Sequence, residues 1–192
     1  AFAEIPAERQ DPATLVFTAH SLPNSMAEKA PYEAQIREAA ALVCEALGRE
    51  KWELAYQSNN ASYGEPWLEP RIEDVLAERA QQGVTDIVVV PIGFVCDHME
   101  VVLDLDVDAQ KIAREHGINM VRAGTVGTHP GYVTMVRDLI EERMTGAEQR
   151  ALGRYGPSHD FCPVDCCLSG RPGEPKPSLC QFTGSEGSMG SE

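Results

Sequence analysis

No stretch of this 192-residue chain approaches the roughly 18–20 consecutive apolar residues that a membrane-spanning helix needs. No basic segment followed by an apolar one opens it. No signal peptide is therefore visible, and the expected location is the cytoplasm. Positive charge is scarce: 16 Lys and Arg face 30 Asp and Glu, a formal net charge of −14. Nucleic acid is not an expected partner, because phosphate binding needs a basic surface. A dicationic metal or a cationic protein is compatible with that charge, and so is plain solubility. There is no starting Met, and residues 1–12 are polar and mixed. They read as a linker, and the chain as a fragment whose upstream part is missing. Cysteine is sparse until the tail: Cys44 and Cys96 stand alone, whereas Cys162, Cys166, Cys167 and Cys180 crowd the C-terminal region. Without a secretion signal, such crowding suggests metal binding more than disulfides.

What is present is an alternation of short apolar runs with longer amphipathic ones. Strands are expected at 14–19, 52–57, 85–91 and 118–122. The run Thr85-Asp-Ile-Val-Val-Val-Pro91 is β-branched and apolar on both faces, the pattern of a buried central parallel strand. Helices are expected at 31–47, with Pro31 opening it and Gly48 closing it, and at 70–82, 97–116 and 130–144. The order βαβαβαβα implies an α/β fold, an open parallel sheet with helices on both faces. From Gly153 onward the chain is rich in Gly, Pro and Ser and the periodicity is lost. The expected organisation is a linker at 1–12, a domain at 13–145 and a Cys-rich tail at 146–192. The end of that tail, from Gly184, reads as disordered.

Ligands of open α/β sheets bind beyond the carboxyl ends of the strands. The segments there are His20-Ser-Leu-Pro23, Ser58-Asn-Asn60, Gly93–Glu100 and Gly124–His129. They gather the polar, Gly-rich and His-bearing stretches on one rim. His20 directly follows an apolar strand, where a neutral imidazole can ligate a metal or take protons near neutral pH. Taken alone, it fits a strand-end His bonded to a neighbouring loop better. Glu100, Asp104 and Asp108 follow at a spacing of four, which stacks them along one helix face. Asp106 and Asp108 also fit a solvated acidic face. Glu100 lies in the first turn, nearest the rim. Cys44 falls inside a helix and reads as core packing.

Three motifs carry a resemblance. Phe17-Thr-Ala-His20-Ser-Leu-Pro23 is the first. Tyr56-Gln-Ser58 with Pro66-Trp-Leu-Glu-Pro70 is the second. Pro91-Ile-Gly-Phe-Val-Cys-Asp97-His98-Met-Glu100 with Leu103-Asp-Leu-Asp106 is the third. In order and type they resemble the ferrochelatase family, and the similarity runs from about Thr14 to Met144. The resemblance implies the second of two Rossmann-like chelatase domains that clasp a porphyrin, the first being the missing N-terminal half. It implies insertion of ferrous iron into that porphyrin for heme biosynthesis. His20 and Glu100 then bind the ion and take the pyrrole protons, Asp104 joins them as a metal residue, and Asp104 and Asp108 form an acidic ladder beside the site, where the helix widens to a π type. Metallation needs a base for two pyrrole N–H groups and ligands that release the ion again. A single imidazole with a carboxylate suits this better than a closed four-ligand site. The loop Asn59–Glu65 departs from the family's usual Arg/Lys- and Pro-containing loop.

Similar actinobacterial members carry a C-terminal [2Fe–2S] cluster. The resemblance thereby assigns Cys162, Cys166 and Cys167 as cluster ligands, with the fourth ligand in the absent half and Cys180 less suited. Coproporphyrin III is the favoured substrate. Protoporphyrin IX, a cobalt or nickel chelatase for a more reduced tetrapyrrole, and an inactive chelatase-like iron–sulfur sensor stay open as alternatives.

Overall fold

The computed structural model describes residues 1–60, 64–159 and 162. Its centre is a four-stranded, all-parallel sheet formed by β1 (Thr14–His20), β2 (Glu53–Gln57), β3 (Asp86–Val90) and β4 (Asn119–Arg122), in the order β2-β1-β3-β4. The helical elements are α1 (Ala7–Gln10), α2 (Asn24–Ala27), α3 (Tyr32–Leu47), α4 (Ile72–Gln81), α5 (Met99–Val101), α6 (Gln110–Glu115) and α7 (Pro130–Thr145). Between α5 and α6 the helix continues as a π-helical segment, Val102–Ala109. The four expected strands and helices are present with ends displaced by a residue or two. The third helix begins at Met99 rather than Asp97.

Alternation along the strands explains the layering. In β1, Leu15, Phe17 and Ala19 point to one side, where they pack with Ile36, Ala40 and Cys44 of α3. Val16 points to the other side, with Ile87 and Val89 of β3, and meets α4 and the long third helix through Ile72, Val75, Leu76, Val101, Leu105, Ala109 and Ala113. Both faces of the sheet are therefore dry, as parallel sheets require. Helix α3 stops at Gly48 (φ 64°): Gly48 N–H donates to the Glu45 carbonyl and Arg49 N–H to the Cys44 carbonyl. This left-handed closure suits a residue without a Cβ.

The first twelve residues, expected as a linker, fold back onto the domain as a 3-10 turn (Phe2–Glu4) and α1. Ile5 is buried in the α3-side core, and Arg9 pairs with the buried Asp86 at 3.0 Å. The polar look of the segment hid two apolar anchors, Ile5 and Phe2, and one cation matched to a buried carboxylate. At the other end, α7 closes at Gly146. Arg154 then binds Glu38 of α3, through its backbone N–H at 2.8 Å and its guanidinium at 3.0 Å. The disorder expected from Gly184 lies outside the described residues. Among the described residues no helix is long and apolar enough to cross a membrane.

Candidate active site at the carboxyl rim

The strand order sets the place of the site. From β1 the chain passes outward to β2, then crosses back over β1 to β3 and continues to β4. The direction reverses between β1 and β3, so the crevice at a topological switch point opens between their carboxyl ends. His20 is the last residue of β1, and Glu100 lies in α5, reached by the loop after β3. That loop passes very close to β1: Gly93 N–H donates to the Thr18 carbonyl at 3.1 Å, and a Cβ on Gly93 would fall 2.7 Å from that of Ala19. Only glycine permits this approach, which carries the loop back over the end of β1.

His20 and Glu100 thereby meet, Nε2 to Oε1 at 3.5 Å, with both side chains half-exposed to the crevice. His20 Nδ1 contacts the Ser21 carbonyl. A carbonyl only accepts, so Nδ1 carries the hydrogen and Nε2 of the neutral ring presents its lone pair towards Glu100. The backbone here is tied down: Tyr32 Oη donates to the His20 carbonyl at 2.8 Å, and Ser21 Oγ donates to the Leu68 carbonyl at 2.9 Å. Burial pushes the Tyr32 hydroxyl pKa up, so it stays a donor. The segment around Trp67 lies against residues 22–24 through Leu68 N–H to the Leu22 carbonyl and Asn24 N–H to the Pro66 carbonyl. This sets the indole ring 6.5 Å from the His20 imidazole. The first two sequence motifs are one local structure.

Asp104 stands beside Glu100, and the end of β2 joins them. Ser58 Oγ lies 2.9 Å from Glu100 Oε1 and also contacts Asp104 Oδ2, while Gln57 Nε2 donates to Asp104 at 3.3 Å. Asp106, expected in part as a solvated acid, is instead gripped by Arg122 at the end of β4. The same guanidinium donates to Asp97 at 3.0 Å. Asp108 is exposed. Among the described residues no three His, Cys, Asp or Glu side chains converge closely enough to hold a metal ion. His20 and Glu100 are thus an open pair with Asp104 as neighbour, not a closed three-ligand set. Cys96 is exposed on the rim loop and Cys44 is buried in α3. Of the expected cluster ligands, Cys162 is half-buried, and Cys166 and Cys167, like Cys180, lie outside the described residues. Arg122 has no role in the sequence reading, and Ser58 enters it only as part of a rim segment and of the second motif. Both sit at the carboxyl end of a strand, and that position was the available signal.

The ferrochelatase family profile matches residues 1–144, three quarters of the chain. The chain belongs to the ferrochelatase family. Among curated relatives of this family, a ferrochelatase of Rhodopirellula baltica is 47 % identical over 156 residues, covering 80 % of this chain and 44 % of the relative. A coproporphyrin III ferrochelatase of Frankia alni is 43 % identical over 182 residues, with 89 % and 47 % covered. One of Streptomyces coelicolor is 42 % identical over 192 residues, with 88 % and 51 % covered. The chain spans about half the length of the ferrochelatases it matches.

Proposed function

We propose that this chain carries the metal-and-proton side of a ferrochelatase that inserts ferrous iron into a porphyrin, a lyase step of heme biosynthesis, with coproporphyrin III as substrate. The observation that carries the reading is the meeting of His20 and Glu100 at the switch-point crevice. Two acceptors 3.5 Å apart attract only when positive charge sits with them. Ligands about 2.1 Å from a tetrahedral ion stand about 3.4 Å apart, so the observed separation suits two adjacent ligands of one small divalent ion. The reaction exchanges Fe²⁺ for two pyrrole protons. His20 Nε2, with its lone pair free, accepts one, and the Glu100 carboxylate takes the other and passes it to solvent along the Asp104 side. An open pair also lets the ion leave for the macrocycle. The choice of coproporphyrin III is supported by the Frankia and Streptomyces relatives, whose names carry that substrate.

The absent half of the enzyme covers α7, a 16-residue helix that buries none of its side chains yet exposes Val133, Val136, Leu139, Ile140 and Met144. Such a face needs a cover, and the chain spans only about half of its relatives. Residues 13–145 form the chelatase domain, with residues 1–12 packed onto it, and 146–192 are its tail, in a cytoplasmic protein. The tail holds a [2Fe–2S] cluster through Cys162, Cys166 and Cys167, supported by three cysteines within six residues; an absorption spectrum and sulfide analysis of the natural protein test this.

For the activity, the test is iron insertion by the natural full-length protein into coproporphyrin III and protoporphyrin IX. The expected result is a higher kcat/KM for coproporphyrin III, and loss of about 10²–10⁴-fold in kcat for His20→Ala or Glu100→Gln. Unchanged rates in both variants exclude the assignment, and equal rates on the two porphyrins exclude the substrate preference.

A further inference from the structure

We propose that Ser58 is a positioning residue for the ion-handling carboxylates, acting through its hydroxyl, and that its backbone conformation is held for this purpose. The inference rests on the reading that Glu100 and Asp104 handle the ion. Ser58 is the one non-glycine residue with positive φ among the described residues, at 58°. L-residues rarely occupy this left-handed region. A turn that needed only this geometry would be served better by glycine. What serine adds is the hydroxyl, and that hydroxyl reaches two carboxylates: Glu100 Oε1 at 2.9 Å and Asp104 Oδ2.

The surroundings make the clamp directional. Neighbouring Gln57 is only 2 % exposed and its amide nitrogen also donates to Asp104 Oδ2, at 3.3 Å. Asp104 thus has Gln57 as a donor, and the Ser58 hydroxyl lies within reach of both Asp104 and Glu100. Glu100 Oε1, the oxygen that Ser58 touches, is also the oxygen facing His20 Nε2 at 3.5 Å. Ser58 therefore fixes where the oxygen that faces the imidazole sits. A hydroxyl has one hydrogen to donate, whereas carboxylates only accept. It cannot donate to Glu100 and Asp104 at once, so the carboxylate left without that hydrogen favours a cation beside it.

Two substitutions in the natural full-length protein separate hydroxyl from backbone. Ser58→Gly removes the hydroxyl and eases the positive φ. Ser58→Thr keeps a hydroxyl but places a β-branched residue at positive φ. Ser58→Gly is expected to melt at the wild-type temperature or above it, with KM for ferrous iron raised about tenfold and KM for porphyrin unchanged, since hydrogen bonds to charged groups carry effects of this size. Ser58→Thr is expected to melt lower while keeping iron KM close to wild type. A Ser58→Gly variant with wild-type iron KM, or a Ser58→Thr variant as impaired towards iron as Ser58→Gly, overturns the proposal. If the wild-type protein inserts no iron, it is the functional reading that fails. Calorimetric titration with Co²⁺ alone still decides the role of Ser58, because equal Co²⁺ affinities of Ser58→Gly and wild type also overturn it.

Discussion

Arg122→Gln tests whether the wide helix is braced from β4. The guanidinium is 15 % exposed and donates from two nitrogens to Asp106, whose side chain is 34 % exposed, and from a third contact to Asp97, 42 % exposed. Asp97 lies on the loop that delivers Glu100, and Asp106 lies in the middle of the π-helical segment. One side chain therefore ties the strand to the loop before the site helix and to the middle of its π-helical segment. Truncating one partner of a fully buried pair costs ~3–5 kcal/mol. Here water reaches both carboxylates and screens them, so the appropriate figure is that of hydrogen bonds to charged groups, about 2 kcal/mol. For a domain of this size that corresponds to a fall in Tm of about 4–8 °C. Thermal unfolding followed by circular dichroism measures it. Arg122→Lys should fall between, because an ammonium cannot reproduce the planar fork. Arg122→Gln combined with Asp106→Asn should recover part of the loss, since the stranded carboxylate is then gone. An Arg122→Gln variant within about 0.5 kcal/mol of wild type, the range of ordinary surface substitutions, refutes the brace.

Two further outcomes follow from other parts of the fold. Asp86 sits at the start of β3, 2 % exposed. Burial alone would push its pKa up, but hydrogen bonds from Asn119 and Thr85 and the Arg9 charge hold it below the usual carboxylate value. Its contribution is therefore fully present above the unfolded-state pKa, near 3.9, and is lost as pH falls through the lower folded value, because only the unfolded chain takes up the proton in between. Asp86→Asn should destabilise by ~1–3 kcal/mol at pH 7, with the gap to wild type closing in urea titrations as the pH is taken below 4; a gap that does not change with pH refutes this. On α7, Leu139→Glu with Ile140→Glu should lower the Tm of the natural full-length protein strongly, because under the proposed cover charges would enter an apolar face. A shift within about 0.5 kcal/mol would mean that this face is solvated.

Much of this was legible before the structure. Strand β3 announced itself through a run apolar on both faces, and the alternating order of elements implied the parallel sheet. The rim rule then placed His20 and Glu100 on one edge without knowledge of strand order. What it did not supply was their proximity, which comes from the switch point between β1 and β3 and from the Gly93 approach over Ala19. Arg122 was opaque for a different reason. With 30 acids and 16 strong bases in the chain, which acid a given arginine meets is decided by topology, not by sequence neighbourhood. Residues 1–12 misled because composition averages over the segment, while its attachment depends on a few residues: Ile5 and Phe2 against the core, Arg9 on Asp86, and Arg49 on the Phe2 ring and the Gln10 carbonyl.

The long third helix shows how the core and the site are served by one departure from ideal geometry. Val101, Leu105, Ala109 and Ala113 are all fully buried and recur every four residues. In an α-helix each residue turns about 100°, so each four-residue step overshoots a full turn by about 40°, and three steps by about 120°. A stripe drifting that far would leave a face about 100° wide. A strict four-residue repeat stays on the sheet only if each residue turns about 90°, which means a wider helix than 3.6 residues per turn. The π-helical segment, with its longer-range hydrogen bonds, supplies that slower turn across Val102–Ala109. The acids one position earlier follow the same count: Glu100 and Asp104 stay in phase with Val101 and Leu105, which is why both reach the single hydroxyl of Ser58. An ordinary α-helix would let the buried stripe drift off the sheet by about 120° over its three steps, although it would still keep Glu100 and Asp104 on neighbouring positions of one face. The widening therefore has a physical cause in the core packing itself, and the site uses the alignment that the packing enforces.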